Sequence, residues 1–133
     1  MAARIPEKFR DLVTTKKAFA DLATVSAAGE PHVAPVWIDA DGDVILVNTA
    51  RGRLKDRNMQ QNRRVALSII DPDNPYRHLA VRGRVVDITE NGADQHIDKL
   101  AKKYMGLDRY PHRAPGEKRV IYKIEPLKVG TMG

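Results

Sequence analysis

Cysteine is absent from this chain, which removes disulfides, thiolate metal sites and cysteine nucleophiles and makes a reducing cytoplasm the expected compartment. Aromatic residues make up only 5%, too few for the interleaved stacking platforms of single-strand nucleic-acid binders. No apolar run approaches the roughly 20 residues that span a bilayer, and the segment from Met1 to Lys17 is charged throughout, without signal-peptide character. The expectation is a soluble, cytoplasmic protein with no membrane insertion. Internal repeats, low-complexity stretches and composition shifts are missing as well. The chain therefore reads as one domain, residues 1–133, long enough to hide roughly two thirds of its unfolded surface without staples.

What the sequence does have is positive charge. Lysine and arginine number 23 against 17 acidic residues, a formal charge of +6, and this favours an anionic partner such as nucleic acid, a phosphorylated cofactor or acidic lipid. The basic residues are spread along the chain with one dense knot, Arg51, Arg53, Lys55 and Arg57. A basic tail or stripe, the footprint of a nucleic-acid binder, is not present, and no nucleic-acid partner is expected.

Ile5 to Thr14 carries Pro6 at a helix start and apolar residues Ile5, Phe9, Leu12 and Val13 at helical spacing, which predicts a short amphipathic helix. The run FADLATVSA, the turn Ala28-Gly29-Glu30-Pro31 and the run HVAPVWID predict a hairpin, and Asp41-Gly42-Asp43 with VILVN extends it to a three-stranded meander. A short helix follows over Arg53 to Asn62. Arg64 to Ile70 reads as a fourth strand and Tyr76 to Ile88 as a long fifth one, with Leu79, Val81, Gly83 and Val85 on one face and Ala80, Arg82, Arg84 and Val86 on the other. Thr89 is placed to cap a helix reaching Met105, whose apolar side holds Ile97, Leu100, Ala101, Tyr104 and Met105. A basic loop, Gly106 to Gly116, leads to a sixth strand from Arg119 to Val129. Six strands joined mostly by tight turns, with helices after the third and fifth, predict a mainly β fold: a six-stranded antiparallel barrel with peripheral helices, whose closure removes exposed edges.

The strongest local signal is Asn48-Thr49-Ala50-Arg51-Gly52-Arg53-Leu54-Lys55-Asp56-Arg57-Asn58, where a strand gives way to a helix. Unpaired N–H groups, the positive end of the helix dipole, the Thr49 hydroxyl and a local excess of cations would together receive a phosphate. The plain alternative is a solvated basic helix, in which Lys55 points about 200° round from Arg53 if the helix has begun by then. Trp37, the sole tryptophan, reads either as a core or interface residue or as a ring contact. His32, His78, His96 and His112 have no metal-ligand spacing, so no metal site is expected. Ser26 and Ser68 lack the frame of a nucleophile elbow, and Asp71, Asp73 and Asp87 read as turn and strand-end residues. Arg109 and His112 sit in the basic loop, as solvated residues or as contacts to an anionic ligand or a substrate.

The run VNTARGRLKDRNM resembles the phosphate-binding segment of the flavin and deazaflavin oxidoreductases with a split β-barrel of the pyridoxamine 5′-phosphate oxidase type. The likeness continues through ATVSAAGEPHVAPVWI and NRRVALSIIDPDNPYRHLAVRGRV, and DKLAKKYMGLDRYPHR resembles the branch that uses the deazaflavin coenzyme F-420. The resemblance implies an oxidoreductase that transfers a hydride from reduced F-420 to a small conjugated organic substrate. It implies Arg53 and Lys55 on the cofactor phosphate, Asn48 and Thr49 toward its ribityl chain or ring, and Pro35, Val36 and Trp37 against the ring. Arg57 would serve the site or the helix, and Asn58 would anchor the helix. Family members are homodimers, so Tyr76, Arg77 and Arg119 are expected to reach the site from the partner chain. No side chain is assigned as a nucleophile. The alternatives are an FMN flavoprotein of the same fold and a non-catalytic module that binds flavin or tetrapyrrole.

Overall fold

A computed structural model of the chain describes residues 2–133. Seven strands form one antiparallel sheet: β1 (Ala20–Val25), β2 (Pro31–Val36), β3 (Ile38–Asp41), β4 (Val44–Ala50), β5 (Arg64–Asp71), β6 (Asn74–Thr89) and β7 (Arg119–Met132). Helix α1 (Leu54–Gln61) lies between β4 and β5, and helix α2 (Ala93–Met105) between β6 and β7. The strand order is β2-β1-β5-β6-β7-β4-β3. The two edge strands are neighbours in the chain, separated by Trp37 alone, so the sheet curls round until its edges meet at that residue.

This arrangement corrects the expected strand count and the expected meander. HVAPVWID is two strands rather than one, because β2 pairs with β1 while β3 turns away to pair with β4. Alternation identifies which side chains share a face, but the pairing partner is a long-range choice that a run of apolar residues does not encode. The first helix is a single 3-10 segment, Glu7–Leu12, which buries Phe9 and Leu12, with Ile5 and Val13 buried on either side of it. Thr89 is not the cap of α2. It ends β6 and accepts a hydrogen bond from the Asn91 N–H at 3.1 Å, while Gly92, at φ 72°, takes the cap position that a left-handed backbone requires.

The interior is filled by Leu22, Ile38, Ile45, Ile69, Leu79 and Ile124, closed at one end by Met59 of α1 and by Tyr122. The long strand β6 alternates as expected, with Leu79, Val81, Gly83 and Val85 buried between exposed neighbours. Gly83 sits where the β6–β7 register shifts, and a Cβ there would stand 2.6 Å from Ile124 Cγ2 and 3.1 Å from the Glu125 carbonyl oxygen. Gly83→Ala is expected to cost about 1–3 kcal/mol, because a packed core accommodates an added methyl only by shifting backbone. Denaturant unfolding at unchanged m-value checks this.

The expectation of a partner-reaching Arg77 meets a local network. Its guanidinium donates to Asp11 Oδ1 at 2.6 Å and to Asp71 Oδ2 at 2.8 Å and covers the Phe9 ring, which ties the 3-10 segment to the β5–β6 turn. Among the described residues no helix is long and apolar enough to cross a membrane, and no three His, Asp or Glu side chains group as metal ligands.

Candidate functional site

A cleft of ≈ 200 Å³ opens where β2 ends, β4 gives way to α1, and α2 crosses β4 and β7. Its lining brings together Pro35, Val36, Trp37, Asn48, Arg53, Lys55 and Arg119 from the residues singled out in the sequence. Phe19, Ile97, Met105, Tyr110 and His112 complete it.

The basic knot divides by position, part of it in the cleft and part outside. Arg51 is neutralised locally, pairing with Glu90 at 2.9 Å and Asp56 at 3.1 Å, and Arg57 is exposed outside the cleft. Arg53 is the residue just before α1, with an extended backbone (φ −68°, ψ 156°), so the helical angle that would have turned Lys55 away from it does not apply. Both therefore reach the cleft. Burial pushes the Lys55 ammonium below the usual lysine range, and the charges of Arg53 and Arg119 push it the same way. Among the described residues no carboxylate pairs with Lys55. A cation that is desolvated, repelled and unpaired is what an incoming anion stabilises.

Arg119, expected to reach across from a partner chain, lines the cleft of its own chain. Its Nε donates to Asn48 Oδ1 at 2.9 Å, its Nη1 pairs with Glu117 at 3.2 Å, and its guanidinium lies 5.2 Å from the Tyr110 ring centroid. Burial lowers its pKa and Glu117 raises it. Asn48 is the positioning element here. Its Nδ2 donates to the Ala93 carbonyl at 2.9 Å and lies 3.1 Å from His96 Nδ1. That contact makes Nδ1 the acceptor and leaves the ring proton on Nε2, 3.4 Å from Asp39 Oδ2. Burial alone would raise the Asp39 carboxyl, but His96, Lys99 and the Ala40 N–H outweigh it and hold the group well below the carboxylate range. A hydrogen-bonded chain thus runs from α2 through Asn48 of β4 to Arg119, and His96 Nε2 faces Asp39 of β3 without a hydrogen bond.

Thr49 turns the other way. Strand alternation puts it on the barrel side with Val47 and Val120, fully buried, and it takes no part in the cleft lining. Tyr76 is 79% exposed at the β5–β6 turn, and neither it nor Arg77 lines the cleft. Asn58 anchors α1, donating from Nδ2 to Thr24 Oγ1 at 3.1 Å.

The opposite wall is aromatic. Trp37 stacks on Tyr104 with ring centroids 5.2 Å apart and meets the edge of Tyr110 at 5.9 Å, and Phe19 meets Tyr104 at 5.5 Å. Tyr104 is fixed by donating its hydroxyl to the Ala18 carbonyl at 2.7 Å and accepting from the Ile38 N–H at 3.1 Å. Burial pushes that phenol up to about 12, so it stays protonated. The loop bearing Tyr110 and His112 is pinned by Asp98, which accepts from the Tyr110 N–H at 2.9 Å and from Arg113 at 2.6 Å. Of the two loop residues left open by the sequence, His112 lines the cleft and Arg109 does not. Cations on one side and a flat aromatic and strand surface on the other can hold a planar ring system carrying a phosphate.

A family model described as pyridoxamine 5′-phosphate oxidase matches residues 5–133. A solved structure of an F420 reductase is 36% identical, with 95% of this chain and 98% of that one covered and a TM-score of 0.82. General Stress Protein 26 from Bacillus anthracis, at 20% identity, 95% and 92% coverage and a TM-score of 0.67, shares the fold. So does HupZ of Group A Streptococcus, at 21% identity, 96% and 93% coverage and a TM-score of 0.69. No curated protein sequence matches. The match over nearly the whole length and the closely similar reductase establish that this chain, with its flavin-type oxidoreductase barrel, belongs to the pyridoxamine 5′-phosphate oxidase family.

Proposed function

We propose that the protein binds coenzyme F-420 in this cleft, with the phosphate on Arg53, Lys55 and Arg119 and the deazaflavin ring against Pro35, Val36 and Trp37, and uses it to reduce a conjugated organic substrate. The observation that carries the reading is the half-buried Lys55, unpaired and flanked by two guanidiniums at the start of α1. The likeness to an F420 reductase supports F-420 over FMN. When bound, the reduced coenzyme supplies a hydride. The chain's own residues supply position and charge. Lys55 and Arg119 fix the phosphate end, Asn48 holds Arg119 at its working angle, and the Pro35–Trp37 backbone aligns the ring plane. Tyr104 keeps its proton on the Ala18 carbonyl and braces the Trp37 ring. Side-by-side titration with F-420 and FMN tests the reading: saturable F-420 binding with weak or no FMN binding supports it, and tight FMN with indifference to F-420 overturns it in favour of an FMN flavoprotein of the same fold. Turnover with F-420 and a conjugated acceptor separates the enzyme from a non-catalytic binding module.

The proposal includes a homodimer. A cleft of ≈ 200 Å³ is smaller than the roughly 300–1,000 Å³ typical of cofactor sites, so a second surface would complete it. A candidate surface is the outer face of β1, β5, β6 and β7, where small side chains, Ala23, Ala66, Ser68 and Ala80, floor a groove of ≈ 450 Å³ beside the exposed Val33. Ala80 points outward on this face, so Ala80→Arg leaves the core intact. That change is expected to halve the mass seen in light scattering and to weaken F-420 binding by more than about tenfold. A parent protein that scatters as a monomer would remove the dimer from the account.

A further inference from the structure

Behind two of the cleft's guanidiniums lies one negative group that the phosphate reading does not need. Glu117, in the loop two residues before β7, has its Oε1 shared between Arg119 Nη1 at 3.2 Å and Arg53 Nη2 at 3.4 Å, and its side chain is only 10% exposed. Its Oε2 is buried with no hydrogen-bond partner among the described residues. A carboxylate that needed only to be satisfied would use both oxygens. This one touches the two guanidiniums proposed to grip the ligand and leaves the other oxygen unpaired, so the three cations Arg53, Lys55 and Arg119 act on an incoming anion with one negative charge already among them.

We propose that Glu117 is a specificity-determining residue, a charge filter that disfavours a dianionic phosphomonoester relative to a monoanionic phosphodiester. This rests on the phosphate reading above. In F-420 the ribityl phosphate continues into an acidic tail and is a diester with one negative charge. In FMN it ends the chain and carries about −1.5 to −2 at neutral pH. The Coulomb energy between Glu117 and the phosphate scales with the phosphate charge, so the penalty on the monoester is close to the square, as a ratio of dissociation constants, of that on the diester. The dispersed positive charge of Arg53, Lys55 and Arg119 attracts both ligands; Glu117 trims the advantage that three cations alone would give the dianion.

The test is Glu117→Gln, which keeps the shape and removes the charge, with Glu117→Ala as a second variant and melting temperature as the folding control. Each is titrated with riboflavin, F-420 and FMN, and the variant-to-parent affinity ratio is taken ligand by ligand, so that ring differences cancel. The expected ratios are near one for riboflavin, about three- to thirtyfold tighter for F-420, and close to the square of the F-420 ratio for FMN, for charges about 6 Å apart in an effective dielectric between protein and water. Equal gains for F-420 and FMN, or a loss for both, overturn the filter. Lys55→Ala, run alongside, separates the two levels of the claim. If Lys55→Ala weakens F-420 while Glu117→Gln fails the ratio, only the filter is lost. If Lys55→Ala leaves F-420 untouched, the phosphate reading itself has failed.

Discussion

Lys55→Ala is expected to weaken F-420 binding by roughly tenfold to a hundredfold or somewhat more, and Arg53→Ala to act in the same direction, while the fold stays intact. A hydrogen bond to a charged group is worth about 1.5–3 kcal/mol, which sets that range. Lys55 should show the larger loss, because its ammonium is partly desolvated and pairs with no carboxylate among the described residues. Arg53 is 47% exposed and already shares Glu117 with Arg119, so water and Glu117 offset part of its contribution. The two losses need not add, since both residues address one phosphate. Stability should hardly move. A half-exposed arginine contributes little to folding, and Lys55→Ala relieves repulsion from Arg53 and Arg119. Calorimetric titration and a thermal melt on each variant check both halves. If the basic knot instead served nucleic acid, the variants would show a shallower salt slope for DNA or RNA and unchanged F-420 affinity.

The largest expected effect on stability belongs to Asp56, inside the same helix. Its carboxylate accepts from the Tyr122 hydroxyl at 2.6 Å, the Gly52 N–H at 2.9 Å, Gln60 at 3.1 Å and Arg51 at 3.1 Å, and the residue is 2% exposed. Burial alone would raise its pKa, but these donors together hold it below the ordinary aspartate value. Asp56→Ala takes the acceptor from the Gly52 N–H and leaves the Tyr122 hydroxyl with only the residue-56 carbonyl at 3.0 Å and Arg51 with only Glu90. The expected cost is about 2–4 kcal/mol, the scale of losing several hydrogen bonds to one buried carboxylate while Arg51, partly exposed, keeps Glu90. Because the folded-state pKa is depressed, the stabilisation is present above the unfolded aspartate value near 4 and fades as pH falls through the lower folded value. Asp56→Asn should therefore lose stability at neutral pH and show a flatter acid limb than the parent. Denaturant unfolding between about pH 3 and pH 7 checks both the size and the slope. A parent-like Asp56→Ala would mean that α1 is held by its Met59 and Asn58 contacts alone.

The basic end of the cleft was readable because its charges are local. Arg53 and Lys55 are two residues apart at a strand-to-helix junction, and the loop preceding α1 sets their direction within that short stretch. Arg119 was visible as a basic residue but not as a member of the same chain's cleft, because only the β4–β7 pairing brings it beside Asn48, 71 positions earlier. Glu117 had no signal at all, since its contact with two arginines remote in sequence from each other arises only in the fold. Thr49 shows the opposite failure. Its neighbour Asn48 faces the cleft, and the alternation of an extended strand sends Thr49 into the barrel. The aromatic wall was partly legible as the Tyr104 to His112 run, but nothing local indicated that Phe19 and Trp37 would close against it. The faces of β6 followed from alternation, whereas the break at Trp37 and the split of one apolar run between two sheet edges followed from closure of the barrel.

Trp37 also gives the most direct test of the central claim, because it is the sole tryptophan and stands on the cleft wall. Its fluorescence can be followed while F-420 is added to the parent protein and to Lys55→Ala. A coenzyme whose phosphate rests on Lys55 and whose ring lies against Pro35–Trp37 should quench that emission saturably in the parent, with the midpoint displaced roughly tenfold to a hundredfold to higher concentration in Lys55→Ala. Saturable F-420 binding that leaves Trp37 emission unchanged, or quenching with the same midpoint in both proteins, would contradict the placement of the coenzyme in this cleft.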